Sequence, residues 1–418
     1  MTLKLSYSLL AFVGAALLAR YLGSSQYGLY AYVLSLVTIL SIPAQLGLPQ
    51  LVVRETAKLE SMGDQDLLHG LRSWAYRTAW ALSLVVSGLT ISACFLLSQN
   101  FDRNQIVTMA LACLLIPTIS LGNIRGASLR GLRRITAGMF PEYVLRPGAF
   151  VILVLATMAL GIPGEETYGA AVAMALNIVA AFLALLAGAW ILHRISPQPS
   201  QLKKLPAGVA SRWLRSTLPI TMTSGLYVLN SQTDTILLGI FGSASDVGIY
   251  RVAIMSAGLV SFGLQAVNLA IGPHFARTHT VGDPSELRRL MALSSKMAVL
   301  VGLPIAGSLV FFGQDIVKLV FGSEYVSASG PLIILCLGQL ANVATGSVGS
   351  LLIMTGEEVR YAKGIAIAVV ANLIIGAVLI QEYGMIGAAI SNALCFAGLN
   401  IFWAYEVHKK CKAHDQLR

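Results

Sequence analysis

The chain has 418 residues, of which 56% are hydrophobic and 11% charged, with a mean hydropathy of +0.74 and a formal net charge of +10. A soluble domain carries roughly 25% charged side chains. This chain has too few to coat a water-facing surface, which excludes a large soluble enzyme and leaves lipid as the covering medium. The basic excess does not point to nucleic acid either, because the lysines and arginines sit at the ends of apolar stretches with no interleaved aromatic platform.

A helix crosses a bilayer in about 20 apolar residues. Stretches free of Asp, Glu, Lys and Arg cover residues 5–19, 21–53, 78–101, 104–124, 147–164, 167–193, 216–233, 252–276, 297–314, 325–356, 364–381 and 383–405. They predict an all-α integral membrane protein of about twelve transmembrane helices. The stretch from Tyr21 is too long for one span and contains a turn at Gly23-Ser24-Ser25-Gln26. Met1 to Lys4 lead straight into the first span with no small-residue cleavage site behind it, so that stretch is expected to stay as helix 1. Cys94, Cys113, Cys336, Cys395 and Cys411 are scattered without paired spacing and suggest neither a disulfide framework nor a metal.

Lysine and arginine accumulate in short cytoplasmic loops. With the N-terminus inside and alternate loops on opposite sides, 25 of the 29 basic residues fall on the inner side. Both termini are therefore expected in the cytoplasm.

The two halves are patterned alike. Gly23-Ser24-Ser25-Gln26-Tyr27-Gly28-Leu29-Tyr30 follows helix 1, and Gly242-Ser243-Ala244-Ser245-Asp246-Val247-Gly248-Ile249-Tyr250 follows helix 7. Gly47-Leu48-Pro49 before Arg54 is matched by Ile271-Gly272-Pro273 before Arg277, and Tyr168-Gly169-Ala170-Ala171 by Ile386-Gly387-Ala388-Ala389. Three matches in one order indicate a duplication. Six helices per half make the repeat parallel, about an axis along the membrane normal. The expected organisation is an N-terminal lobe over 1–194 (helices 1–6), a Pro- and Lys-containing cytoplasmic linker over 195–212, and a C-terminal lobe over 213–418 (helices 7–12) with a short basic tail.

Several pieces resemble the oligosaccharide and O-antigen flippases of the multidrug/oligosaccharidyl-lipid/polysaccharide (MOP) exporter superfamily. They are Ala19-Arg20-Tyr21-Leu22-Gly23 with Tyr27-Gly28-Leu29-Tyr30, Gly47-Leu48-Pro49 with Arg54-Glu55, Leu129-Arg130-Gly131-Leu132-Arg133-Arg134, Asn230 to Asp234 with Gly239, Val247-Gly248-Ile249-Tyr250, and Phe321-Gly322-Ser323-Glu324-Tyr325. The resemblance implies the MATE-like MOP fold of two six-helix lobes. It also implies transport of a polyprenyl-pyrophosphate-linked oligosaccharide from the inner to the outer leaflet of a bacterial cytoplasmic (inner) membrane, for cell-surface polysaccharide biosynthesis. The implied partners are that lipid-linked oligosaccharide, membrane lipids, H⁺ or Na⁺ as a coupling ion, and polysaccharide polymerase and glycosyltransferases. No cofactor and no metal are expected. Members often carry an Arg within helix 1, whereas residues 5–19 here hold no charge.

A pyrophosphate cargo calls for Arg or Lys near the inner mouth of a cavity. The candidates are Arg54, Arg77, Arg125, Arg146, Lys296 and Lys363, each within about a turn of an inner helix end, where the positive-inside bias alone would also place them. At the start of helix 5, Glu142 precedes Arg146 by four residues, the favourable order for a helical ion pair, with Pro141 and Pro147 on either side. Asp234 interrupts an otherwise apolar span and is a candidate for ion coupling, or for pairing with Asn230 or a neighbouring helix. Gln265, Asn268, Gln339 and Asn342 suit either sugar hydroxyls or interhelical hydrogen bonds. Pro43, Pro117 and Pro304 mark expected kinks.

No Walker loop, His-Glu-x-x-His, Gly-x-Ser-x-Gly or Cys-x-x-Cys occurs, so the parts for ATP hydrolysis and familiar hydrolase chemistry are missing and an enzyme is not expected. A MATE-type cation-coupled exporter of drugs or small molecules is the alternative. Such an exporter needs a membrane carboxylate, and the spans as read leave the first half without one.

Overall fold

The computed structural model describes residues 2–96, 102–164, 168–195, 208–281 and 284–415, and every regular element among them is helical. The described chain forms two compact units, Thr2–Val228 and Leu229–Arg418. Most of the linker expected over 195–212 lies outside the described residues. The division between the units falls further on, inside a continuous helix.

The first unit holds α1 (Thr2–Gln45), α2 (Leu48–Met62), α3 (Gln65–Leu96), α4 (Arg103–Ala112), α5 (Leu115–Gly131), α6 (Ile135–Phe140), α7 (Arg146–Ala159), α8 (Gly169–Ile195) and the start of α9 (Val209–Phe241). The second holds the rest of α9 with α10 (Ala244–Gly258), α11 (Phe262–Val281), α12 (Pro284–Phe321), α13 (Ser329–Thr345), α14 (Val348–Met354) and α15 (Glu358–Asp415). Nine described helical stretches are long and apolar enough to cross a membrane. Two of them, Leu3–Gln45 and Glu358–Val407, have 43 and 50 residues and are long enough for two passes each. With α9, whose charge-free core runs over 216–233, the described helices have the length for about twelve crossings.

Single glycines make the reversals. Gly23 (φ 70°, ψ 171°) breaks α1, and Gly384 (φ 55°, ψ −130°) breaks α15; both values lie where a Cβ is disfavoured. The turn expected over Gly23 to Gln26 thus shrinks to one residue, and Ser24 already belongs to the next helical run. Its counterpart after α9 is wider. There Ser243 caps α10 in a reciprocal box, its hydroxyl accepting from the Asp246 N–H at 3.1 Å while the Asp246 carboxylate accepts from the Ser243 N–H at 3.0 Å.

Pro117 acts as expected. Without an N–H it cannot bond the Cys113 carbonyl, the crossing splits into α4 and α5 at that point, and the Ser87 hydroxyl of α3 donates to the Cys113 oxygen at 3.0 Å. The third sequence match also has a structural meaning. Gly169 and Gly387 each lack room for a Cβ because a carbonyl of the preceding segment, Gly164 O and Leu379 O, lies against them, and the alanines that follow are buried in both cases.

α2 is amphipathic and docks its apolar side. Leu48, Leu51, Val52 and Leu59 join Leu68, Leu71, Ala75 and Ala79 of α3, Ile124 and Ala127 of α5, and Trp213 of α9 in one buried cluster. Hydrocarbon offers no hydrophobic drive between helices, so close approach at small residues matters more than in water. Gly126 of α5 and Gly138 of α6 show it: a Cβ on either would lie 2.7 Å from the carbonyl oxygen of the other.

Gly47 (φ 64°) and Gly63 (φ 71°) flank α2, but only Gly47 is crowded, with Thr221 Oγ1 at 2.9 Å and Thr217 O at 3.0 Å from a Cβ built there. Gly63→Ala should cost about 1 kcal/mol, the strain of a left-handed backbone alone. Gly47→Ala adds overpacking and should cost about 2 to 3 kcal/mol in all. Thermal unfolding of the two variants in detergent will show the larger drop for Gly47→Ala.

Candidate functional site

The first unit buries a chain of polar side chains that links four helices. Arg125 of α5 is fully buried, and its Nη1 donates to the carbonyl oxygens of Ala184, at 2.6 Å, and Leu185, at 3.4 Å, both on α8. Gly188 makes this possible, since a Cβ there would fall onto the guanidinium. Arg125 Nη2 donates to Glu142 Oε1 at 3.3 Å. Glu142 Oε2 lies 3.8 Å from Arg146 Nη1, the four-apart pair expected from the sequence. Arg146 Nη2 in turn donates to Asn177 Oδ1 of α8 at 3.2 Å, and Asn177 Nδ2 donates to the Tyr30 hydroxyl of α1 at 2.7 Å.

The backbone around Glu142 is itself unusual. Residues Pro141–Leu145 form one π-helical turn between α6 and α7, closed by the Arg146 N–H on the Pro141 carbonyl. Such insertions widen a helix by one residue and re-aim its side chains. Glu142 belongs to the continuous helical run Ile135–Ala159, which is long and apolar enough to cross a membrane. The charge-free stretch at 147–164 therefore begins within a helix that already carries Glu142 and Arg146.

The second unit buries a different cluster. Asp234 of α9, seven residues before the helix ends, is 2% exposed. Asn372 Nδ2 donates to its Oδ1 at 2.8 Å and Asn392 Nδ2 to its Oδ2. Both asparagines lie on α15, on either side of the Gly384 break, and the Ser391 hydroxyl donates to Asn372 Oδ1 at 2.6 Å. The Tyr250 hydroxyl of α10 adjoins the same carboxylate without hydrogen-bond geometry to it. Asp234 therefore pairs across helices, as one of the sequence alternatives had it, and with asparagines other than Asn230.

The remaining candidates are dispersed. Arg54 of α2 is exposed and bonds Glu55 at 3.1 Å and Ser216 of α9 at 3.3 Å. Arg77, Lys296 and Lys363 are exposed on α3, α12 and α15. Asn230 is half-buried on α9, and Gln265, exposed on α11, donates to Ser261 at 3.2 Å. Asn268 Oδ1 is buried without a partner. Gln339 and Asn342 of α13 pair with each other at 3.5 Å. Of the six cations only Arg125 and Arg146 are brought together. Sequence reasoning missed Asn177, Tyr30, Asn372, Asn392, Ser391 and Tyr250; asparagines inside spans were the available signal.

The fold is that of the MOP exporters. It aligns with an inward-facing multidrug resistance transporter of the MATE family at TM-score 0.78, with 14% identity and coverage of 98% of this chain and 96% of that one. It aligns with an inward-closed lipid II flippase at TM-score 0.77, with 13% identity and coverage of 97% and 87%. In sequence, a probable low-salt glycan biosynthesis flippase of Haloferax volcanii is 28% identical over 413 residues, which are 95% of this chain and 79% of that protein. Residues 1–279 match the family described as polysaccharide biosynthesis protein. The chain belongs to that family, a flippase-type group of multi-pass membrane transporters in the MOP superfamily.

Gly188→Ala should expel Arg125 from its seat on α8 and lower stability by about 2 to 3 kcal/mol. Gly148→Ala, on α7 with open space around it, should be neutral or stabilising by up to about 1 kcal/mol. Parallel melting curves of the two purified variants will separate them.

Proposed function

We propose that the chain is a flippase that moves a polyprenyl-pyrophosphate-linked oligosaccharide from the inner to the outer leaflet of a prokaryotic cytoplasmic membrane, without making or breaking covalent bonds. The observation that carries this reading is the family match over residues 1–279, extended to nearly the full chain by the similarity to an archaeal glycan flippase. The bias of 25 of the 29 basic residues to one side supports an orientation with both termini in the cytoplasm. Movement follows alternating access of two six-helix lobes. Glycosyltransferases would supply the cargo, and a polysaccharide polymerase would consume it outside.

The energetics favour export of such a cargo. A headgroup with two negative charges leaving a negative interior gains about 4 to 5 kcal/mol per 100 mV. Asp234, whose hydrogen-bond partners are neutral asparagine amides, is the proposed place for H⁺ or Na⁺ to contribute further. That same buried carboxylate is what favours the competing reading, a cation-coupled exporter of drugs.

Depletion of the protein should leave lipid-linked oligosaccharide out of reach of a membrane-impermeant oxidant applied to intact spheroplasts. An unchanged glycolipid distribution accompanied by raised drug sensitivity would replace the flippase with the exporter. In proteoliposomes, Asp234→Asn should abolish any stimulation of glycolipid transfer by a Na⁺ or proton gradient; full stimulation in the variant would remove Asp234 from coupling.

A further inference from the structure

We infer that Arg146 is the first-unit residue that takes the diphosphate of the cargo, and that Glu142 is the counter-ion it leaves to do so. The inference rests on the flippase reading and assigns the anion subsite within it. Four observations carry it.

The first is charge. Arg125, Glu142 and Arg146 bring two guanidinium groups to one carboxylate, within a helical bundle in which uncompensated charge is costly.

The second is that the two arginines are held unequally. Arg125, whose side chain is 1% exposed, bonds Glu142 and two backbone carbonyls and is fixed. Arg146 is 21% exposed, and its contact with Glu142 is the longer one, 3.8 Å against 3.3 Å. An anion could draw Arg146 away while Glu142 stays with Arg125.

The third is direction. The exposed apolar stripe of α7 runs through Ile152, Leu155 and Met158. Arg146 lies on the opposite face, shared with Leu153 and Thr157, seven and eleven residues further on. Asn177 likewise faces away from the exposed Val179, Phe182 and Leu186 of α8. The open part of the guanidinium therefore does not look into lipid.

The fourth is the π-helical turn, which places Glu142 and Arg146 at a widened stretch of helix between two prolines. Asn177, bonded to both Arg146 and Tyr30, fixes the plane of the guanidinium, and a planar fork suits two phosphate oxygens at once. In this arrangement Arg146 contacts the cargo, and Glu142 and Asn177 are positioning residues.

The test measures binding of farnesyl diphosphate, with farnesol as the neutral control, to the full-length protein in nanodiscs of zwitterionic lipid, alongside glycolipid transfer in proteoliposomes. Arg146→Gln should weaken diphosphate binding by about tenfold, and Arg146→Lys should restore part of it. Glu142→Gln keeps an oxygen for Arg125 and removes the competing charge, so it should tighten binding by about threefold or more. In transfer, Arg146→Gln should raise KM more than it lowers the maximal rate. A purely structural Glu142 would instead give weaker binding and a lower melting temperature in Glu142→Gln. That result, or unchanged binding in a well-folded Arg146→Gln, overturns the inference; continued glycolipid transfer by wild type then leaves the flippase reading standing. A wild-type protein that neither binds the diphosphate nor transfers glycolipid ends both.

Discussion

Hydrocarbon can neither donate nor accept a hydrogen bond, so a polar group carried below the headgroups is stabilised chiefly by partners within the protein. That constraint explains why two groups of buried polar side chains occur as linked sets spanning several helices. Arg125 is anchored by backbone carbonyls of α8 and by Glu142, and the line continues through Arg146 and Asn177 to Tyr30. Asp234 is answered by two asparagines on consecutive passes. The same constraint shapes the backbone: the carbonyl that Pro117 cannot serve is taken up by Ser87.

The two sets differ in sign. The first unit gathers arginines around a single glutamate, whereas the second holds an aspartate among neutral amides. The two units share the Gly-(Leu/Ile)-Tyr motif and a crowded glycine before paired alanines, and they differ in the charge they bury. Tyr30 and Tyr250 occupy matching places in the repeated Gly-(Leu/Ile)-Tyr motif. One supports the cationic set and the other adjoins the anionic one. Under the proposed export of an anionic lipid headgroup, one polarity would serve the cargo and the other a coupling cation.

Much of the fold was legible because charge is so scarce that its gaps mark the crossings. The turns were less so. The four-residue turn read at Gly23 proved to be one residue, since a glycine at positive φ reverses the chain without help from Ser24 or Gln26. The sequence puts Glu142 and Arg146 at the start of helix 5, whereas the helical run begins earlier, at Ile135, because a gap in charge does not mark where a helix starts. The pairing of Glu142 with Arg146 was visible as a four-residue spacing. The involvement of Arg125, Asn177 and Tyr30 was not, because contacts between helices leave no periodic trace in one sequence. Asn372 and Asn392 lay in stretches that read as plain apolar spans, so Asp234 could be singled out but not its partners.

The seat of Arg125 has a consequence for how this lineage can vary. Its guanidinium lies where any side chain at position 188 would have to go, and it bonds the α8 backbone a turn earlier. The missing methyl at one position and the large cation at the other form a single steric unit divided between two helices. Descendants and cousins should keep both or abandon both, and a chain that acquires even an alanine at 188 should be found with a smaller, uncharged residue facing it.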